Sequence, residues 1–263
     1  MEAEGTGLLV DGVRRRIIAK LEVKGSNVVK GLHLEGLRIV GVPEDLSREY
    51  YLQGIDEIMF IDTVASLYGR NNSFDIVKKT AEQIFIPLSL GGGIKTLNDV
   101  ELALRSGADK VAVNSQGVRN KNFLIEIERN FGSQCLVAHL DVKKKNGRWV
   151  VLIDNAREVT DLDALEWAKE VEGLGAGEIF ITSVDKDGTM KGADLELIQS
   201  ISSTVRIPFI YSGGIGRPSD ITDVFLKGGS DAVAISAVLH FKKATIKEVR
   251  DEVSSNGIPI RSS

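Results

Sequence analysis

Several features are scarce in this sequence, and each scarcity excludes a class of protein. A single cysteine, Cys135, among 263 residues rules out an internal disulfide and fits a reducing cytoplasm; we expect it to lie buried where an apolar strand opens. No apolar run approaches the roughly 20 residues that a membrane-spanning helix needs. The net charge of −4, with no basic stripe, argues against a nucleic-acid partner. His33 and His240 have no metal-ligand spacing, so we expect neither a metal nor a cofactor.

What the sequence does have is an internal repeat. EIMFID at 57–62 and LSLGGGIKTLNDVELALRSGADKVAVNS at 88–115 are matched by EIFITS at 178–183 and FIYSGGIGRPSDITDVFLKGGSDAVAIS at 209–236. Glu57 and Glu178 lie 121 positions apart, as do Gly93 and Gly214. The repeat predicts a single domain spanning 1–263, with a loose leader at 1–13 and half-barrels at about 14–133 and 134–263.

Short apolar segments alternate with helical patterns along the chain. About eight segments, such as DEIMFIDT and DAVAIS, are apolar almost throughout, which is typical of parallel strands covered on both faces. Between them, segments such as LNDVELALRSG have helical spacing and end at glycine. The order predicts an α/β fold, a closed (β/α)8 TIM barrel, since the repeat favours closure over an open doubly wound sheet. Asn146-Gly147 predicts a hairpin after the fifth barrel strand.

Active sites of such barrels lie at the carboxyl ends of the strands, so the segments found there are candidate binding residues. Glycine turns let backbone N–H groups approach an anion, and each half of the chain has one such turn beside polar strand ends. We therefore expect one phosphate site in each half. The candidate residues are Gly91-Gly92-Gly93, Asn114 and Ser115 in the first half, and Asp187, Gly188, Gly213, Gly214, Ser236 and Ala237 in the second.

Two carboxylates occupy matching positions in the halves. Glu22 ends the first strand and Asp141 the fifth, so we expect them to face each other across the barrel mouth. Such a pair can divide into general base and general acid. Because side chains alternate along a strand, Lys20 should point the same way as Glu22, and His139 the same way as Asp141. Each acid would then have a basic neighbour.

These segments resemble a known family, the cyclase subunit of imidazole glycerol phosphate synthase (the HisF family), over residues 14–261. The matching stretches include RRIIAKLEVKGSNVVKG, GIDEIMFIDTVAS, PLSLGGGI, GADKVAVNS, FGSQCLVAHLDVK, GAGEIFITSVDKDGT and PFIYSGGIG. The resemblance implies a lyase of histidine biosynthesis that takes ammonia from a glutaminase (HisH-type) partner. It implies a ribulosyl aminoimidazole carboxamide nucleotide with two phosphates as substrate, and imidazole glycerol phosphate and aminoimidazole carboxamide ribotide as products.

The resemblance also implies roles for individual residues. The catalytic acids match Glu22 and Asp141. Lys30 matches a lysine of a mobile loop after strand one, and Asp62 and Thr182 match strand-end residues near the substrate. The phosphate contacts match Gly93, Asn114, Ser115, Asp187, Gly188, Gly214, Ser236 and Ala237. Four charges that gate the ammonia entrance match Arg16, Glu57, Lys110 and Glu178, and Asp109 matches a position facing the glutaminase.

The sequence departs from the family at the reacting centre. Where the family has Cys-Leu-Asp-Val-Lys, this chain has Lys20 and Glu22, a carboxylate one methylene longer. Residues 154–157 replace a glycine-containing loop beside the substrate. Three hypotheses therefore stay open: the ring-closing synthase, a paralogue that delivers ammonia to a nucleotide-linked or surface sugar, and a non-catalytic barrel that binds a glutaminase.

Overall fold

The structure, a computed structural model, describes residues 14–64 and 73–261 and contains a closed barrel of eight parallel strands. The barrel closes because the last strand pairs in parallel with the first, with Arg16 opposite Ala232. The predicted (β/α)8 fold is therefore confirmed. In chain order, the barrel strands are β1 (Arg16–Lys24), β4 (Glu57–Asp62), β5 (Leu88–Gly91), β6 (Lys110–Val113), β7 (Leu136–Lys145), β10 (Glu178–Ser183), β11 (Phe209–Ser212) and β12 (Ala232–Ile235).

Each half of the barrel carries an antiparallel hairpin on its first strand. Strands β2 (Asn27–Leu32) and β3 (Glu35–Gly41) extend β1, and β8 (Arg148–Ile153) and β9 (Glu158–Asp163) extend β7. The second hairpin confirms the prediction: Asn146 and Gly147 both have positive φ, 51° and 82°, as a tight turn of this kind requires. The first hairpin was not predicted, and it changes the place of Lys30, as described below.

Helices between the strands cover the outside of the barrel. Two of them begin with a capping box: Thr96 and Thr245 each cap a helix and exchange hydrogen bonds with an acid three residues later, Asp99 and Glu248. The helices are α1 (Pro43–Leu52), α2 (Ser73–Ala81), α3 (Leu97–Arg105), α4 (Ser115–Arg119), α5 (Lys121–Phe131), α6 (Ala164–Gly173), α7 (Leu195–Thr204), α8 (Pro218–Asp223), α9 (Ala237–His240) and α10 (Ile246–Ser255).

The barrel interior is arranged in layers because alternate residues of every strand point inward. On β1, Arg16, Ile18, Lys20 and Glu22 follow one another from the amino end to the carboxyl end. The middle of the interior is buried and mainly apolar; its apolar residues are Ile18, Met59, Ile61, Ala112, Val137, Phe180, Ile210, Ala232 and Ala234. A charged floor and a charged mouth are thus separated by a mainly apolar layer.

Two expectations have a different outcome. Cys135 is only half-buried, because it ends a short 3-10 turn (Ser133–Cys135) and the strand begins one residue later; its predicted burial was wrong. The predicted leader at 1–13 lies outside the described residues, and the half-barrel boundary near 133 stays a prediction. Within residues 14–64 and 73–261, no helix has the length and apolar character needed to cross a membrane.

Candidate active site at the barrel mouth

Four charged side chains form one buried group at the mouth, here called the mouth cluster: Lys20, Glu22, Lys30 and Asp187. The Lys30 ammonium lies 2.8–2.9 Å from both oxygens of Glu22 and both oxygens of Asp187. The Lys20 ammonium lies 2.9 Å from Glu22 Oε1 and 3.3 Å from Asp187 Oδ1. All four residues are at most 2 % exposed, so two cations and two anions neutralise each other away from water. The predicted pairing of Lys20 with Glu22 is confirmed.

Charge pairing outweighs burial in this cluster. Burial alone would lower the pKa of Lys20, but Asp187 and Glu22 raise it above its ordinary value. Burial alone would raise the pKa of Asp187, but Lys20 and Lys30 lower it to about 2. Both groups are therefore charged at neutral pH, and the cluster carries no net charge.

Lys30 does not lie on a loop. It belongs to strand β2, and the β2–β3 hairpin folds over the mouth and contacts the segment after β10. The His33 N–H donates to the Asp187 carbonyl at 2.9 Å. Gly188 permits this contact, since its φ is +72° and a Cβ there would lie 2.2 Å from the Gly31 carbonyl oxygen. The segment after β1 thus forms a docked hairpin at Lys30, and the mobility expected of it stays a prediction.

The second candidate acid lies across the mouth from the cluster. Asp141 is on β7, four strands from β1 in either direction around the barrel. His139 Nε2 lies 3.1 Å from Asp141 Oδ1, as alternation predicted, and the Asn114 amide donates to Asp141 Oδ2 at 3.1 Å. His139 also stacks on Phe180, with 4.6 Å between ring centroids. Asp141 is therefore fixed by two polar neighbours, one of them held by an aromatic ring.

Gly92 and Gly93 of the first glycine turn and the strand end Asn114-Ser115 line one cleft together with Asp62, His139 and Asp141, while Gly91 is the buried last residue of β5 and does not line it. Gly92 has φ +85°, and a Cβ there would lie 2.2 Å from the Asp62 carbonyl oxygen, so no larger residue fits. The Asp62 carboxylate accepts from Val64 N–H at 2.9 Å and from the Ser73 hydroxyl. The cleft therefore joins the first predicted phosphate site to the Asp141 side of the mouth.

The second predicted site forms a separate cleft beside the mouth cluster. It is lined by Lys30, Asp187, Gly188, Ser212, Gly213, Gly214, Ile215, Ala234, Ile235, Ser236 and Ala237. A Cβ on Gly214 would lie 2.1 Å from the Gly192 carbonyl oxygen. The Ser236 hydroxyl is buried and has no hydrogen-bond partner among the described residues. An unpartnered hydroxyl beside a glycine turn is a donor that an anion would satisfy. Thr182, on β10, has its hydroxyl 3.5 Å from His139 Nε2, on the Asp141 side.

The four predicted gate residues meet at the opposite end of the barrel, each at the first residue of its strand. Arg16 pairs with Glu57 at 2.8 Å and with Glu178. Lys110 lies 2.8 Å from Glu178 and 3.7 Å from Glu57, so cations and anions alternate around a closed ring. Burial would lower the pKa of Arg16, but the two glutamates raise it above its ordinary value.

Sequence reasoning missed part of the first cleft. Lys95, Gln116, Arg119 and Asn155 also line it. Arg119 follows Ser115 by four residues, the spacing that places two side chains on one helix face, and this was the available signal. Asn155 lies in the stretch 154–157 that the resemblance places beside the substrate, and a left-handed backbone turn brings it to the cleft.

Comparison with known proteins agrees with this geometry. The sequence profile of the family described as histidine biosynthesis protein matches residues 16–245. The imidazole glycerol phosphate synthase subunit HisF of Legionella pneumophila is 54% identical over 203 residues, covering 77% of this chain and 96% of that protein. The HisF subunits of Myxococcus xanthus (strain DK1622) and Methanococcus vannielii are 44% and 42% identical, each covering 94% of this chain and 98% of the relative. The chain therefore belongs to the histidine biosynthesis protein family, and within it to the HisF subunits of imidazole glycerol phosphate synthase.

Proposed function

We propose that this chain is the cyclase subunit of imidazole glycerol phosphate synthase. It combines ammonia with a bisphosphorylated ribulosyl aminoimidazole carboxamide nucleotide, and releases imidazole glycerol phosphate and aminoimidazole carboxamide ribotide in histidine biosynthesis. One observation carries the assignment: Glu22 and Asp141 lie on opposite barrel strands, each beside its own glycine-lined cleft. A substrate with a phosphate at each end would place its reacting centre between the two acids.

Asp141 is the proposed general acid and Glu22 the proposed general base. Asp141 is oriented by His139 and Asn114, at 3.1 Å each. Glu22 has both oxygens bonded to Lys30, so it accepts a proton only after Lys30 withdraws. A substrate phosphate in the second cleft, which Lys30 lines, would attract the ammonium away from Glu22. Substrate binding would thus free the base.

Ammonia is proposed to enter from below. The ring of Arg16, Glu57, Lys110 and Glu178 lies at the floor, and the apolar layer lies between the ring and the two acids. An apolar passage favours neutral ammonia over ammonium, because burying an unpaired charge is costly. We propose that a HisH-type glutaminase docks against the floor. A cytoplasmic location accompanies this proposal, since the single cysteine fits a reducing compartment.

A second candidate is delivery of ammonia to a sugar or another phosphorylated acceptor. Lys20 is the observation that favours it: a second ammonium lies 2.9 Å from Glu22, so the carboxylate stays ion-paired even after Lys30 leaves. The reaction beside Glu22 would then differ from ring closure, while the two clefts would still bind phosphates and the floor would still admit ammonia.

The deciding experiment measures turnover of the ribulosyl aminoimidazole carboxamide nucleotide with ammonium chloride at alkaline pH. This assay needs no partner. We expect turnover, and a loss of about 10²–10⁴-fold in Asp141→Asn, as removal of a general acid predicts. Asp161→Asn, an exposed position on β9, is the matched control and should keep wild-type turnover. Bound substrate with no turnover would reject ring closure and favour the second candidate.

The partner is tested separately by gel filtration of the chain mixed with a HisH-type glutaminase. Co-elution that is lost when Lys110 and Glu178 are reversed in sign supports docking at the floor. Separate elution of the wild-type proteins would contradict it.

A further inference from the structure

Two amide side chains in the first cleft have polar atoms without partners. Asn114 Oδ1 and Asn155 Nδ2 are both buried, and neither has a hydrogen-bond partner among the described residues. Both residues line the cleft that also contains Asp141. Folded proteins leave few buried polar groups without a partner, because each one is costly. Two such atoms in one cleft therefore indicate a ligand that supplies their partners.

The orientation of the Asn114 amide is fixed by two acceptors. Its Nδ2 donates to Asp141 Oδ2 and to the Leu152 carbonyl oxygen, at 3.1 Å each. An amide nitrogen has two hydrogens, and these two bonds use both of them. The Asn114 side chain therefore has no N–H left for a phosphate, and its remaining polar atom is an acceptor. A ligand satisfies Asn114 Oδ1 only by donating an N–H or an O–H.

The backbone turn at 154–156 holds Asn155 close to Asn114. Its three residues have φ values of 53°, 56° and 61°, all in the left-handed region and none of them glycine; such strain is found at functional sites. The Asp154 N–H donates to the Ser115 hydroxyl oxygen at 2.9 Å. The Asn114 amide contacts the end of β8, which leads into the turn. Two contacts thus join the turn to the strand end that carries Asn114.

The two amides together select the chemistry of their ligand. A phosphate dianion has only acceptors, so it would satisfy Asn155 Nδ2 but would leave Asn114 Oδ1 without a donor. A primary carboxamide has two N–H donors and a carbonyl acceptor on one planar group. The substrate class proposed above carries one such group, on its aminoimidazole ring. The amide pair therefore fits the neutral ring substituent better than it fits a phosphate.

We propose that Asn155 and Asn114 recognise the carboxamide of the aminoimidazole ring. Asn155 Nδ2 donates to the carboxamide oxygen, and Asn114 Oδ1 accepts from the carboxamide N–H. Asn114 also donates to Asp141, so one side chain connects the bound ring to the candidate acid. The inference deepens the proposed function and rests on it for the identity of the substrate.

The test is isothermal titration calorimetry of the full chain with aminoimidazole carboxamide ribotide and, separately, with ribose 5-phosphate, which has the phosphate and the sugar hydroxyls but no carboxamide. The wild-type chain should bind the ribotide more tightly, by about tenfold or more. Asn155→Gly should weaken ribotide binding about tenfold, the loss expected for one buried hydrogen bond, and change ribose 5-phosphate binding less than about twofold. Glycine removes the amide and adopts positive φ without strain, so the turn is retained.

Asn155→Asp is a second variant that keeps the shape of the side chain but replaces its N–H donors with an acceptor. The ratio of the two affinities should then fall in the same direction as in Asn155→Gly. Asn146→Gly is the matched control. Asn146 has φ 51°, is exposed at the tip of the β7–β8 hairpin and does not line the cleft, so both affinities should stay at their wild-type values.

Three results would overturn the proposal. Equal affinity of the wild-type chain for the two ligands would show that the carboxamide is not recognised. Equal losses for both ligands in Asn155→Gly would show that Asn155 contacts the phosphate or the sugar. Unchanged ribotide affinity in the two Asn155 variants would show that the buried amide serves the fold alone.

This inference and the proposed function fail differently. Absence of turnover, together with a preference for the ribotide that is lost in Asn155→Gly, rejects ring closure and leaves the carboxamide site in place. Turnover together with equal losses for both ligands rejects the carboxamide site alone.

Discussion

Replacing Lys20 with methionine removes one of the two ammonium groups from the mouth cluster and leaves Glu22 and Asp187 with Lys30 alone. At an effective dielectric constant of about 20, the 2.9 Å and 3.3 Å pairs of Lys20 are each worth about 5–6 kcal/mol of attraction. Desolvation of the ammonium offsets several kcal/mol of that sum. Removing one partner of a buried ion pair leaves an uncompensated charge and costs about 3–5 kcal/mol. We expect about 3 kcal/mol here, because Lys30 still contacts all four oxygens.

The measurement is the free energy of unfolding from urea or guanidinium denaturation at pH 7, with the slope of the transition checked for constancy. Lys24→Met is the matched control: it makes the same substitution at an exposed position of the same strand and should change stability by less than about 0.5 kcal/mol.

The double variant Lys20→Met/Glu22→Gln gives the sharper result. It restores a neutral cluster of Lys30 and Asp187, so it should be more stable than Lys20→Met by about 1–2 kcal/mol. A double variant whose loss equals or exceeds the sum of the two single losses would refute the reasoning, as would wild-type stability in Lys20→Met.

Three further predictions concern pH, backbone strain and the floor. Burial lowers the pKa of His240 to about 4, so the folded state binds fewer protons than the unfolded chain between about pH 4 and 6.5. The contribution of His240 to the free energy of unfolding is complete above about pH 6.5 and is lost toward pH 4; because the ring is partly exposed, we expect it to be about 1–2 kcal/mol. His240→Asn should remove this pH dependence of stability, and a dependence that persists in the variant would contradict the prediction. Ala156→Gly should stabilise the fold by about 1 kcal/mol because Ala156 has φ 61°, whereas Gly36→Ala, at φ 60° in open space, should destabilise it by a similar amount. If denaturation shows that both variants change the free energy of unfolding in the same direction, the backbone strain at Ala156 is disproved. Lys110→Gln should lower turnover with glutamine and the glutaminase several-fold while turnover with ammonium chloride is unchanged, and equal losses in both assays would exclude a role at the entrance.

The site could be predicted from sequence where regular strand geometry decides position. Alternation alone brought Lys20 to Glu22 and His139 to Asp141, and the repeat placed the two acids on opposite strands. These inferences succeed because a strand has only two faces, and a register set by buried apolar residues leaves one choice.

Prediction failed where the backbone turns without glycine. The β2–β3 hairpin turns at His33 and Leu34, with φ of 52° and 63°, and the segment over the first cleft turns at 154–156. Neither turn has glycine or proline at these positions, where a sequence signal would be expected. Tertiary contacts hold both turns, for example the Arg119–Asp154 pair, and such contacts cannot be read before the fold is known.

Strand β1 ties the two ends of the barrel to one register. Six residue steps at about 3.3 Å each separate Arg16 from Glu22, so a single straight segment of about 20 Å carries the floor cation, an apolar residue, Lys20 and the candidate base. Insertion or deletion of one residue at Ala19 would turn one half of this line outward while leaving the other half in place. Substitutions on β1 can therefore change ammonia entry at Arg16 or the reaction at Glu22, but an insertion or deletion turns one of these two side chains out of the barrel interior while the other stays inside.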